Sequence, residues 1–268
     1  MISIACLLGK KDFRSVARFA FISDIHGNLP ALEAVMDYID NLRVDGTLCL
    51  GDVVGYGQNP AECLERVQKI ASYCVLGNHD KAVFDDLEAA RFNRNAKLAI
   101  EYTRDQLNNE HIEYLKALSE FENLEDVSVS HASPITDAGS DYIHDQTIAA
   151  RAYAGFTNAC LFVGHTHVPI AFGTPDIGYA KVEPSEVRVA LLPPSLPLRL
   201  APSYRYILNP GSVGQPRDGN PDAAFGLLDT DEHSFTIHRC PYDIEAAYFA
   251  IINAGLPDFL AHRLRIGA

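Results

Sequence analysis

Five short clusters of aspartate, asparagine and histidine lie along the chain: Asp24-Ile25-His26, Gly51-Asp52, Gly77-Asn78-His79-Asp80, Ser130-His131 and Gly164-His165-Thr166-His167. Each follows a short apolar run. Taken singly, an aspartate or asparagine behind a strand makes a turn, and a lone histidine such as His131 reads as a satisfied, partly buried imidazole. The conjunction points elsewhere. Strand ends of an open α/β sheet converge on one edge, the usual ligand crevice, so the clusters line one rim with Asp24, Asp52, Asn78 and five imidazoles. Asp24 and His26 alternate with Ile25, as His165 and His167 do around Thr166, so each pair can face the same way. Carboxylates and imidazoles buried at that density are costly without a cation, and a shared metal site is the simplest way to stabilise them. The donors are nitrogen and oxygen, with no cysteine among them, a set that suits Mn, Fe, Zn, Ni or Mg. Two divalent ions against two carboxylates leave about two positive charges, matched to a phosphate and a hydroxide.

Elements able to position these clusters are legible from hydrophobic periodicity. Phe19–Ile22, Thr47–Leu50 and Tyr73–Leu76 read as strands, and Val127–Val129 and Cys160–Val163 as two more. Between them, Leu32, Val35, Met36, Ile39 and Leu42 mark one helical face, and Leu64, Val67 and Ile70 another. The second of these helices opens at Asn59-Pro60, an N-cap residue followed by proline at the first helical position. Residues 95–118 read as a helical pair, with Leu98, Tyr102 and Leu107 and then Ile112, Leu115 and Leu118 turned inward. From Val187 the pattern is mostly β, at Val187–Leu192, Tyr206–Leu208, Phe225–Leu228 and Phe235–His238. The proline-rich stretch Pro193–Pro202 reads as a surface excursion, and a helix at Ile244–Asn253 closes the chain. Strands alternating with helices imply an α/β fold.

The chain has 268 residues, enough for one domain with insertions, and 22 basic against 35 acidic residues give a net charge of −13. That balance disfavours a nucleic-acid polymer, whose phosphates need a basic face. The six cysteines (Cys6, Cys49, Cys63, Cys74, Cys160 and Cys240) form no CxxC pair, and read as reduced thiols of a cytoplasmic protein. The apolar stretch Ile2–Leu8 has its lysines after it and is too short to span a bilayer. Residues 1–18 therefore read as an N-terminal arm ahead of a domain over 19–268, with no membrane partner and no signal of an oligomeric state.

In this order, DxH, GD, GNHD, a later histidine and GHTH resemble the calcineurin-like metallophosphoesterase superfamily. The resemblance is strongest to its bacterial small phosphodiesterase branch, through Asp24–Asn28 (DIHGN), Gly51–Gly57 (GDVVGYG) and Asn209–Arg217 (NPGSVGQPR). The match runs from about Phe19 to Asp229. It implies an αββα sandwich of two mixed sheets flanked by helices. It also implies two divalent metal ions, manganese among the options, one held by Asp24, His26, Asp52 and His167 and the other by Asp52, Asn78, His131 and His165. His79 then matches the family's histidine that is not a ligand and protonates the leaving oxygen, while Asn78 also contacts the phosphate. The expected reaction is hydrolysis of a small phosphorylated substrate by hydroxide bridging the ions.

One departure bears on substrate. Protein Ser/Thr phosphatases and symmetrical dinucleoside tetraphosphatases of the superfamily carry an arginine in a GDxVxRG pattern, where this chain has Gly55 and Tyr56. A guanidinium that grips a terminal phosphate dianion is missing, which favours diesters or small phosphorylated molecules over phosphoproteins. Arg217 is either a substrate contact or a loop arginine paired with Asp218 or Asp222. Asn28 and Tyr56 either line the site or serve their turns. Two other functions fit the same fold, a catalytically silent interaction scaffold and a nuclease; the complete set of motif residues argues against the first and the charge against the second.

Overall fold

A computed structural model describes residues 17–135, 142–178 and 181–268. The arm expected at residues 1–18 therefore lies outside the described residues except for its last two, and Cys6 lies outside them too. Two six-stranded mixed sheets stack face to face. The first runs, in spatial order, β3 (Tyr73–Cys74), β2 (Gly46–Cys49), β1 (Arg18–Ile22), β11 (Ala223–Asp229), β12 (Ser234–Cys240) and β9 (Leu198–Arg199). The second runs β4 (Phe121–Asn123), β5 (Val127–Ser130), β6 (Cys160–Phe162), β10 (Tyr204–Asn209), β7 (Ile170–Pro175) and β8 (Arg188–Leu191). Strands β1, β2 and β3 are parallel, as are β5, β6 and β10, so the chain leaves both parallel blocks at one edge.

Period-2 alternation assigns each side chain a layer. In β1, Phe19 and Phe21 face the other sheet, where Phe21 stacks on Phe162 with ring centroids 3.7 Å apart. Ala20 and Ile22 face outward, under α1 (Leu29–Leu42) and α2 (Pro60–Ile70), whose Leu32, Val35, Leu64 and Val67 close that outer core. Fully burying each such side chain contributes roughly 1.5–3 kcal/mol. Short helices α3 (Asn78–Ala82) and α4 (Asp86–Ala90) follow β3, then α5 (Arg94–Gln106) and α6 (Asn109–Ala117). Helix α7 (Gln146–Ala152) covers the outer face of the second sheet through Ile148, Ala149 and Ala152. The layers are thus helix, sheet, sheet, helix, as the family resemblance implied.

Three local expectations need correction. The inward face of α5 is Ala96, Ala99, Ile100 and Thr103, and Leu98 is exposed. The small residues are inside because this helix shares a cluster with Tyr56 and two C-terminal helices, α8 (Ile244–Asn253) and α9 (Asp258–Ile266). Helix α9 was not expected at all, although Pro257-Asp258 followed by Leu260, Ala261 and Leu264 carries its start and buried face. Asn59 precedes α2 but makes no capping bond; its amide donates to Glu62 Oε1 at 3.2 Å. The proline-rich stretch adds to the edge of the first sheet, because β9 pairs with β12 and Pro194 bridges to Ile237 of the same strand.

Candidate metal centre

Every motif singled out in the sequence ends up at one edge of the sandwich. Asp24 and His26 follow β1, Asp52 follows β2, Asn78 opens α3 behind β3, His131 follows β5, and His165 and His167 follow β6. Five of these seven leave their strands in the left-handed conformation: Asp24 (φ 52°), His26 (48°), Asp52 (52°), His165 (68°) and His167 (61°). Each such non-glycine residue costs roughly 1–2 kcal/mol, and strain of this kind gathers at functional sites. Backbone bonds hold the turns together: Asp24 N–H donates to Gly51 O, His26 N–H to Asp52 O and Gly164 N–H to His131 O, at 2.9–3.0 Å. The approach is close enough to require glycine at Gly77, where a Cβ would lie 2.1 Å from Asp52 Oδ1.

The donor atoms converge. Asp24, His26 and His167 form one buried trio and Asp52, His131 and His165 another, with the ligand atoms of each within 4.8 Å of one another. Asn78 Oδ1 joins the second, 3.1 Å from His131 Nε2. Asp52 lies between them, its Oδ2 3.6 Å from His26 Nε2 and 3.2 Å from His131 Nε2. A third trio, His26, Asp52 and His79, overlaps both.

Three imidazoles are committed at their far nitrogen. Nδ1 faces a backbone carbonyl in His26 (Val54 O, 3.2 Å), His131 (Leu50 O, 2.7 Å) and His167 (Gln215 O, 2.6 Å). Protons placed there turn the Nε2 lone pairs inward, the orientation that outer hydrogen bonds impose on metal-binding histidine. Nε2 of His26 then faces Nε2 of His167 at 3.2 Å, and the latter faces Asp24 Oδ1 at the same distance. Lone pairs so close repel unless a cation lies among them. Bonds of about 2.1 Å at a right angle would separate donors by about 3.0 Å, so the spacing fits a divalent ion.

The electrostatics agree. Burial alone would raise the Asp24 carboxyl, but the charge and hydrogen bond of His167, with His131, hold it well below the usual carboxylate range. Burial pushes His26 and His167 down and His165 down to about 3, leaving them as neutral donors. Burial also opposes charge on His131, yet Asp52 and then Asp24 raise it to about 10. A field that holds a proton on a buried imidazole would equally hold a metal cation.

His79 stands just outside. Its N–H donates to Asp52 Oδ1 at 2.8 Å, while its ring packs between Tyr56 and Phe92, with centroids 4.3 and 4.5 Å away. Burial brings its pKa down to about 4, and Nδ1 is enclosed against Gly55 without a hydrogen-bond partner. Asp80, which the sequence reading quoted without a role, ties two motifs together: its carboxylate accepts from Val54 N–H at 3.0 Å and Gly77 N–H at 3.1 Å.

The NPGSVGQPR segment is a clamp. Asn209 donates to Gly164 O at 2.6 Å, Ser212 Oγ donates to Asp24 O at 2.8 Å, and Gln215 O receives His167. Asn28 takes its structural role: it caps α1 through Ala31 N–H and donates to Gly214 O at 2.8 Å. Tyr56 packs on His26 at 4.5 Å, so it lines the site. Arg217 is not paired with Asp218 or Asp222: Arg239 holds the carboxylate of Asp218 and the carbonyl of Asp222. Sequence reasoning missed Phe92, Tyr142, stacked 3.8 Å from His165, and Arg263. The first two stand in loops without periodicity, and the third on the helix that was not expected.

Comparison with known proteins agrees with this geometry. A metallophosphoesterase from Sphaerobacter thermophilus of known structure is 38% identical, with a TM-score of 0.80, covering 95% of this chain and all of that one. An uncharacterized protein of Methanocaldococcus jannaschii is 35% identical over 92% of this chain and 97% of its own length. The phosphodiesterase YfcE of Escherichia coli K12 is 26% identical over 80% of this chain and 88% of its own. Residues 18–233 match the calcineurin-like phosphoesterase superfamily domain. This chain belongs to that superfamily.

Proposed function

We propose that this chain is a dinuclear metal-dependent phosphodiesterase acting on small phosphorylated molecules. The observation that carries the proposal is the set of inward-facing Nε2 atoms of His26, His131 and His167, arranged around two buried carboxylates. Asp24, His26, Asp52 and His167 would hold one ion, and Asp52, Asn78, His131 and His165 the other, with Asp52 shared. Bound there, two divalent cations supply Lewis acidity toward phosphoryl oxygen and activate water near neutral pH. The chain's own residues do the rest. Asn78 orients the phosphate with its amide, and His79 carries the proton for the departing oxygen. Tyr56 and Phe92 keep bulk water from the His79 ring.

The preference for diesters rests on Tyr56. A buried phenol flanking His26 and His79 stands where the family's phosphatases carry arginine, so a terminal phosphate dianion loses a bidentate contact. The name of the relative YfcE supports the same reading. Manganese-loaded protein should therefore hydrolyse bis(4-nitrophenyl) phosphate with a kcat/KM at least about tenfold above that for 4-nitrophenyl phosphate, the effect of one charge-assisted hydrogen bond. Excess chelator should abolish both activities. A preference for the monoester would overturn the assignment.

A further inference from the structure

Beyond the metal ligands, the rim of the site carries two guanidinium groups, those of Arg217 and Arg263, to which no Asp or Glu side chain among the described residues is ion-paired. Arg217 is partly buried; its terminal nitrogen donates to Gln215 Oε1 at 3.3 Å, it is an electrostatic neighbour of the Tyr142 hydroxyl, and its Nε is enclosed without a hydrogen-bond partner. Arg263 comes from α9. Its Nε donates to the main-chain oxygen of Ala268, while its two terminal nitrogens have no hydrogen-bond partner among the described residues. Gly219 N–H donates to Gly267 O at 2.9 Å, which ties the end of α9 to the loop that carries Arg217. The buried face of α9 packs in the cluster that contains Tyr56, beside His26 and His79.

Both arginines feel the site and each other. Burial, then the charge of Arg217, hold Arg263 below the usual guanidinium range, with Tyr56 and Tyr142 as its other electrostatic neighbours. Arg217 in turn acts on the rings of His79 and His167. Like charges brought together on a rim, neither paired to an Asp or Glu side chain among the described residues, offer free donors to an anion. Two forked donors match a phosphate dianion, which offers three acceptor oxygens and close to two negative charges.

We propose that Arg217 and Arg263 form an anion subsite beside the metal centre, and that it selects phosphodiesters bearing a second, non-scissile phosphate. The subsite rests on the phosphoesterase reading and sharpens its substrate class. Arg263 is the specificity-determining residue, and it reaches the site only because α9 docks on the Arg217 loop.

The test compares two esters with the same leaving group: thymidine 5′-(4-nitrophenyl phosphate) and its 3′-phosphorylated counterpart. Manganese-loaded wild-type protein should favour the phosphorylated ester by roughly 10- to 100-fold in kcat/KM, the range for hydrogen bonds to a charged group. Arg263→Ala should bring that ratio towards one, while Arg263→Lys, which keeps the charge, should retain part of it. Equal rates on the two esters with wild-type protein overturn the subsite and leave the phosphoesterase reading standing. An undiminished ratio in folded Arg263→Ala removes Arg263 from it. Hydrolysis of neither ester removes the phosphoesterase reading, and the subsite with it.

Discussion

Asp52→Asn should abolish hydrolysis and empty both metal positions at once. Asp52 Oδ2 lies 3.2 Å from His131 Nε2 and 3.6 Å from His26 Nε2, so it is set between the two donor groups, closer to His131 than the 4.0 Å of Asp24 Oδ1. An amide retains the oxygen that accepts His79 N–H, which preserves the turn, but it loses the negative charge. Loss of an outer hydrogen bond lowers metal affinity by roughly 10- to 100-fold; loss of the shared anion touches two ions directly, and kcat/KM should fall by at least about 1,000-fold. Elemental analysis of the purified variant checks this. Two ions retained per chain with normal turnover would remove Asp52 from the centre of the mechanism.

His79→Asn should separate binding from proton transfer. The ring stands beside the donor groups, and the inward nitrogens of His26, His131 and His167 complete them without it. Metal content and fold should therefore persist. For a diester with a poor alkoxide leaving group, kcat should fall by about 100-fold or more, within the range for general acid catalysis. A nitrophenolate leaves without help, so a nitrophenyl ester should lose much less. Equal losses on both would assign His79 to charge stabilisation on the phosphoryl oxygens, and loss of metal would make it a ligand, a role its place in the third trio would allow. Burial, which takes the imidazole down to about 4, keeps the metal-free ring neutral at pH 7. A general-acid role would then require the bound substrate's negative charge to draw a proton onto the ring.

The candidate metal centre was legible because its residues come in short motifs, each set just behind an apolar strand. Once each sheet has its parallel block and the two blocks end at one edge of the sandwich, Asp24, Asp52 and His131 meet there. The sandwich followed from the family resemblance, and in it Phe19 and Phe21 join one core and Ala20 and Ile22 the other. Three kinds of feature escaped. The left-handed conformations of His26 and His167 fall on residues that are neither glycine nor asparagine. The inward face of α5 is built from alanines, and the larger Leu98 drew the assignment to the wrong stripe. The walls of the site come from Phe92, Tyr142 and Arg263, whose approach depends on packing between elements distant in sequence. No described helix is long and apolar enough to cross a membrane.

Anomalous diffraction from crystals grown with Mn²⁺ tests the central claim most directly. Two peaks are expected, one among Asp24, His26, Asp52 and His167 and the other among Asp52, Asn78, His131 and His165, with the Asp52 carboxylate touching both. A single peak, or ions bound away from these side chains, would contradict a dinuclear centre.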